Sequence, residues 1–209
     1  MTRRADRAPS GSQGGLELKM AVNLSARQVC HPDLVSTIAG SLERSGLPAY
    51  QLLVEITETT MMDDADVALT TLTQVAAMGV GIAIDDFGTG YSSLMYLSRY
   101  PLHVLKIDRS FVAGMGQHRS DDAIVAGVIG LARAVGADCI AEGVETTSQL
   151  DALRTMGCRH AQGYLFGRPV PAVELPASLV TCEALLALST TLDVPVDTQA
   201  PPTAARPGP

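Results

Sequence analysis

The sequence has no excess of positive charge: 15 Lys and Arg stand against 22 Asp and Glu in 209 residues, a formal net charge of -7. Nucleic-acid polymers are held by clustered Lys and Arg on the phosphate backbone, so this balance argues against such a partner. It leaves room for a small phosphorylated ligand, because a bound metal can supply positive charge locally. The four cysteines, Cys30, Cys139, Cys158 and Cys182, form no CxxC pair and read as structural thiols in a reducing cytoplasm. No hydrophobic run is long. The most apolar stretch, Ala123 to Ala132, falls far short of the ~20 residues that a membrane-spanning helix needs. Residues 1–15 carry arginines with no apolar segment behind them, so they form no secretory signal. A cytoplasmic protein without membrane insertion is the expectation. His31, His103, His118 and His160 show no HExxH-like spacing and read as surface or packing residues. There is no P-loop, no GxSxG and no dinucleotide fingerprint.

What is present belongs to a globular chain: 46% hydrophobic and 18% charged residues, in a length that suits one domain with a sizeable core. The ends differ from the middle. Residues 1–15 are rich in Arg, Ser and Gly, and residues 194–209 in Pro, Ala and Thr; both are expected to be unstructured, flanking a folded domain over 16–193. Between them β-prone runs alternate with helical patterns. Strands are expected at Lys19–Asn23, Leu52–Ile56, Gly81–Ile84, His103–Ile107, Asp138–Ala141 and Arg159–Gly163. Helices are expected at Pro32–Ser45, Asp64–Met78, Ser120–Val135 and Thr146–Met156, with Gly46 and Gly79 as C-terminal caps. Residues 87–100 read as a long loop with a short helix.

This repeat predicts a parallel sheet with helical crossovers, and the nearly all-apolar strands fit a sheet covered on both faces. A barrel and an open doubly wound sheet both satisfy it. The polar residues favour the barrel. Asn23, Glu55, Asp85 with Asp86, Lys106 with Asp108, Glu142 and Gln162 each fall at or just beyond the end of an expected strand. Barrel strands all end at one mouth, where these residues would converge. Six βα units cannot close an eight-stranded barrel, so either unusual packing or a partner fills the gap or the start of the domain is lacking.

Adjacent Asp85 and Asp86 read, in isolation, as a solvated turn. Beside the glycine-rich Phe87-Gly88-Thr89-Gly90-Tyr91-Ser92-Ser93 and the other strand ends, they read as ligands for Mg²⁺ or Mn²⁺, the hard cations that oxygen donors favour. Two such ions suit in-line attack on a phosphodiester. Glu55 and Asn23 offer further oxygen donors, although Glu55 taken alone reads better as an outward-facing glutamate and Asn23 also suits the cap of a turn. Lys106 inside an apolar run could orient a water or stabilise developing charge, and Glu142 could ligate a metal or accept a proton.

Together, Val22-Asn23-Leu24-Ser25, Val54-Glu55-Ile56-Thr57-Glu58, Asp85-Asp86-Phe87-Gly88-Thr89-Gly90-Tyr91-Ser92-Ser93, Leu105-Lys106-Ile107-Asp108, Ala141-Glu142-Gly143-Val144-Glu145 and Gln162-Gly163-Tyr164 resemble the EAL-type cyclic-di-GMP phosphodiesterase domain, in that family's order, over roughly residues 18–175. The resemblance implies a modified (βα)₈, TIM-like barrel that hydrolyses cyclic di-GMP to linear pGpG with two Mg²⁺ or Mn²⁺ ions. It implies Asn23, Glu55 and Asp85 around one metal, and Asp85, Asp86 and Glu142 around the other. Lys106 would position the attacking water, and Gln162 would meet the substrate. Glu58 would hold the 86–93 loop, with Asp108 and Glu145 as further supports. A homodimer is implied, as is a sensory or diguanylate cyclase partner domain. The name-giving Glu-Ala-Leu, a further metal carboxylate, has no match in residues 1–18, and Glu183-Ala184-Leu185 reads as a chance occurrence in a helical tail. Impaired hydrolysis, or a non-catalytic module that binds cyclic di-GMP or a protein, is the alternative that this departure raises.

Overall fold

In the computed structural model, the described residues are 18–89 and 97–178. The expectations for residues 1–15, for 194–209, for Gly90–Ser93 of the loop and for Glu183-Ala184-Leu185 lie outside them.

Six parallel strands pair in sequence order: β1 (Met20–Asn23), β2 (Leu52–Thr57), β3 (Gly81–Phe87), β4 (Val104–Ile107), β5 (Asp138–Ala141) and β6 (His160–Ala161). Consecutive parallel strands need long crossovers. The longer helices supply most of them: α2 (Leu34–Ser45), α4 (Ala65–Ala77), α6 (Arg119–Val135) and α7 (Thr147–Thr155). The result is a curled, TIM-barrel-like α/β sheet of six strands. Val54, Ile56, Ile82, Ile84, Leu105 and Ile107 on the central strands, with Leu72, Val75, Val125 and Leu153 on the helices, are fully or almost fully buried. Among the described residues β1 and β6 are the outer strands. β1 leaves Met20 and Val22 exposed.

Cap chemistry sets the main helix ends. Gly46 and Gly136 take left-handed φ values of 68° and 79° after α2 and α6, a conformation that an L side chain resists. Thr146 and Gln149 form a reciprocal capping box at the start of α7.

Three short helices depart from the expected pattern: α1 (Ala26–Val29), α3 (Glu58–Asp63) and α5 (Arg109–Gly114). At four to six residues they are too short to write a 3.6-residue period into the sequence. β6 has two residues rather than the five expected, and α2 begins at Leu34 rather than at Pro32. The largest change is in β3. It runs on to Phe87, with a register shift against β4 between Ile84 and Phe87, so Asp85 and Asp86 lie within a bulged strand instead of beyond its end. His103 serves packing: its Nδ1 accepts the Ile82 N–H at 3.1 Å.

The chain divides into two units, residues 1–165 and 166–209. All six strands lie in the first. The described part of the second contains a 3₁₀ turn at Ala172–Glu174.

Candidate active site

Parallel pairing places the polar residues at one level. Asn23 is in register with Glu55, and Thr57 with Asp85. Lys106 pairs with Ile140 on β5, one residue before Ala141, which leads into Glu142. At this end the Lys106 ammonium, 4% exposed, lies 2.8 Å from Glu55 Oε2, 3.1 Å from Asp85 Oδ1 and 2.5 Å from Glu142 Oε1. A buried ammonium is strongly unfavourable unless paired and hydrogen-bonded. Here burial works against the charged form, but hydrogen bonds to Glu142 and Glu55 and the attraction of Asp85 outweigh it, and Lys106 is held above its ordinary range. One cation cannot neutralise three carboxylates. Burial therefore pushes the Glu142 carboxyl up, with Asp85 and Glu55 adding to the effect against the pull of Lys106.

The bulge orients the aspartate pair. Asp86 has a left-handed φ of 53°, a region that Asp tolerates better than most residues because its side chain and neighbours can hydrogen-bond locally. Its N–H donates to Asp85 Oδ1 at 3.0 Å, and the Thr89 hydroxyl donates to its carbonyl at 2.9 Å. Carboxylate oxygens of Asp85, Asp86 and Glu142 come within 4.8 Å of one another. Asp108 caps α5, accepting the Ser110 N–H at 2.9 Å and the Ser110 hydroxyl. Burial would raise Asp108, but Ser110 outweighs it and the carboxyl is lowered. Asp86 goes the other way: burial raises it, then repulsion from Asp85, then a hydrogen bond with Asp108. Clustered hard oxygen donors fit a divalent cation, which would relieve the repulsion that adds to burial in raising Asp86 and Glu142.

Around this centre, the Gln162 amide donates to Glu142 Oε1 at 2.7 Å. Glu58 is buried. Its Oε2 accepts the Gly88 N–H at 3.5 Å, and its Oε1 has no hydrogen-bond partner among the described residues. Asn23 is exposed on β1 beside Glu55. Glu145 is also exposed; its backbone N–H donates to the Gln149 side chain, and its carboxylate is not part of the cluster.

Two glycines let the backbone close around Glu142 and Gln162. A Cβ on Gly143, at φ 68°, would meet Arg109 Cβ at 2.6 Å, and one on Gly163 would meet the Val144 carbonyl oxygen at 2.2 Å. The Val144 N–H donates to the Gln162 carbonyl at 3.1 Å, and Leu165 N–H donates to that of Val144 at 3.0 Å. Gly163→Ala is expected to cost about 1–3 kcal/mol as an overpacking substitution against immovable backbone. Urea unfolding will measure it, and an unchanged midpoint would show that this segment shifts freely.

The sequence reading does not anticipate Ser110 as the partner of Asp108, or the Asp86–Asp108 contact. An aspartate two residues before a serine is the local signal of such a turn.

Parallel strands that deliver carboxylates and one buried lysine to a single end define an α/β barrel-type enzyme domain with an acidic, cation-holding centre. The sequence matches the EAL domain family over residues 3–169, and the chain belongs to that family. It is 48% identical over 166 residues to the bifunctional diguanylate cyclase/cyclic di-GMP phosphodiesterase MucR of Pseudomonas aeruginosa, covering 79% of this chain and 24% of MucR. The chain thus spans about a quarter of that relative's length. A structure of the PaMucR phosphodiesterase in complex with c-di-GMP is similar at TM-score 0.73 and 49% identity, covering 75% of this chain and 64% of that one. A manganese/cy-diGMP complex of Klebsiella pneumoniae BlrP1 is similar at TM-score 0.67 and 37% identity, covering 72% and 39%. No helix among the described residues is long and apolar enough to cross a membrane.

Proposed function

We propose that the chain is a phosphodiesterase domain that hydrolyses cyclic di-GMP to linear pGpG with Mg²⁺ or Mn²⁺, working in the bacterial cytoplasm as part of a signalling protein. The observation that carries this reading is the Lys106 ammonium between Glu55, Asp85 and Glu142, with Asp86 in reach of the last two. These are oxygen donors around a place already suited to positive charge. The cyclic-di-GMP complexes of similar structures, one with manganese, support the substrate and the metal class.

Asn23, Glu55 and Asp85 would hold one ion, and Asp85, Asp86 and Glu142 a second. When bound there, such ions supply Lewis acidity toward the phosphodiester. The protein's own groups do the rest. Glu142, its carboxyl raised by burial, accepts the proton of the attacking water. Lys106, firmly charged, orients that water and stabilises charge developing on the phosphate. Gln162 holds Glu142 in place and meets the substrate. Glu58 ties the segment that follows Asp86 to β2 and α3 through Gly88, and dimer formation would act on the site through that segment. A sensory or diguanylate cyclase domain is the expected partner, as the bifunctional name of MucR suggests.

A second reading has its own support. The Lys106 ammonium balances part of the charge of Glu55, Asp85 and Glu142 by itself, an arrangement that also suits a module that binds cyclic di-GMP or a protein without turnover. Purified protein incubated with cyclic di-GMP and Mn²⁺ will separate the two. Formation of pGpG that disappears in Asp85→Ala is the expected result. Tight binding with no product would replace the enzyme by a non-catalytic binding module.

A further inference from the structure

We propose that Cys139 and Cys158 form a modification site, in which a small hydroperoxide oxidises Cys158 and Cys139 closes the product into an intramolecular disulfide. The site lies at the opposite end of the strands from the carboxylates. A cavity of about 610 Å³ opens there, lined by both cysteines and by Arg133, Arg154, Arg159 and His160. The lining includes Asp138 and His160, the first residues of β5 and β6, whereas Glu142 follows the last residue of β5.

The fold brings the thiols together in two steps. After α7, Gly157 turns the chain through a left-handed φ of 85°, and the Cys158 N–H returns to the Leu153 carbonyl at 2.9 Å. Parallel pairing of Ile140 with His160 and of Ala141 with Ala161 then sets Cys139 one position from the level of Cys158. Cys158 Sγ lies 3.6 Å from the Cys139 carbonyl oxygen and 3.2 Å from that of His160. Both are nearly buried, at 9% and 7% exposure, and the cavity supplies the approach.

The two sulfurs differ. Hydrogen bonding from the Cys139 thiol, followed by the backbones of His160 and Ala141, outweighs burial and holds Cys158 down at about 7. Cys139 is pushed up by the same hydrogen bond and by burial. The cavity that both cysteines line is also lined by Arg133 from α6, Arg154 from α7, Arg159 and His160 at β6, and Asp138 at β5, three guanidinium groups against one carboxylate, a balance that suits an anion.

The chemistry balances. With hydrogen peroxide, the Cys158 thiolate attacks one oxygen, the O–O bond breaks, and the leaving hydroxide takes up the proton that the thiol gave up and departs as water (an organic hydroperoxide loses its alcohol instead), giving a sulfenic acid. The Cys139 sulfur then displaces the sulfenic oxygen as a second water and forms the S–S bond. The two sulfurs together supply the two electrons that reduce the peroxide.

The test uses the full, reduced chain treated with equimolar hydrogen peroxide, blocked with N-ethylmaleimide and digested with trypsin without reductant. Cleavage after Arg133, Arg154 and Arg159 places Cys139 in peptide 134–154 and Cys158 in peptide 155–159. The expected product is those two peptides joined, two hydrogens below their summed mass and separated by dithiothreitol. Iodoacetamide labelling of Cys158 should rise with pH to half its maximum near pH 7, and Cys139→Ser should leave a Cys158 sulfenic acid that dimedone traps. The proposal is overturned if maleimide labels both cysteines after peroxide, or if the only linked peptides contain Cys30 or Cys182. A Cys158 labelling midpoint no lower than that of exposed Cys30 in the same protein would also overturn it.

Discussion

Lys106→Met will destabilise the metal-free protein by about 3–5 kcal/mol, because it leaves buried carboxylates without the cation that they surround. Glu55, Asp85 and Glu142 each lose a charge-assisted hydrogen bond to the ammonium. Glu55 is the most committed of the three, since its side chain is only 7% exposed, against 15% and 16% for Asp85 and Glu142. Methionine keeps most of the volume of the lysine stem, so the loss is electrostatic rather than a cavity effect. Mn²⁺ or Mg²⁺ should return much of the lost stability in the variant and less in the wild type, because the ion takes up the role of the missing ammonium. Urea unfolding with EDTA and with Mn²⁺ will measure both. If the metal leaves the variant unchanged, these carboxylates are an internal ion-pair network and no cation site.

Glu142→Gln will lower the rate of pGpG formation by about 10²–10⁴-fold, the range that a lost general base or acid produces. Its effect on stability should stay small by comparison. The substitution keeps an oxygen able to accept the Gln162 amide, and it removes one of three negative charges that a single lysine must balance. That excess adds to burial, the main cause, in raising the Glu142 carboxyl. Lys106 keeps Glu55 and Asp85 as partners. The informative outcome is the contrast between a folded protein by urea titration and a rate close to background by product chromatography. Unchanged turnover with saturating Mn²⁺ would remove Glu142 from proton transfer.

The two variants act on different parts of one charge balance, and this bears on how much of it the sequence displays. Asp85 and Asp86 are legible only with their surroundings, because a pair of carboxylates alone reads as a solvated turn and the glycine-rich segment and the other strand ends turn it into a site. Glu55 and Lys106 are equally visible as charges within apolar runs. Their mutual contact is not, since the two residues are separated by 51 positions and meet only because β2 and β4 both flank β3. The bulge in β3 is hidden for a related reason. It depends on how Ile84 and Phe87 pair with β4, and no local pattern marks that register.

The same distinction governs the helices. α2, α4, α6 and α7 announce themselves through periodic apolar faces and caps such as Gly46 and Thr146. α1, α3 and α5 are short turns stabilised where the chain packs, and α3 begins at Glu58, which sequence reading treats only as a loop support.

The sequence by itself therefore determined the parallel α/β class, the order of its strands, and which polar residues occupy the strand ends, because strand and helix periods and turn residues are local properties. Only the tertiary structure decided that Lys106 partners three carboxylates, that Asp86 takes a left-handed turn, and that Cys139 and Cys158 line one cavity with three arginines. Each of those depends on strand register and on burial, which set distance and desolvation between residues far apart in the chain.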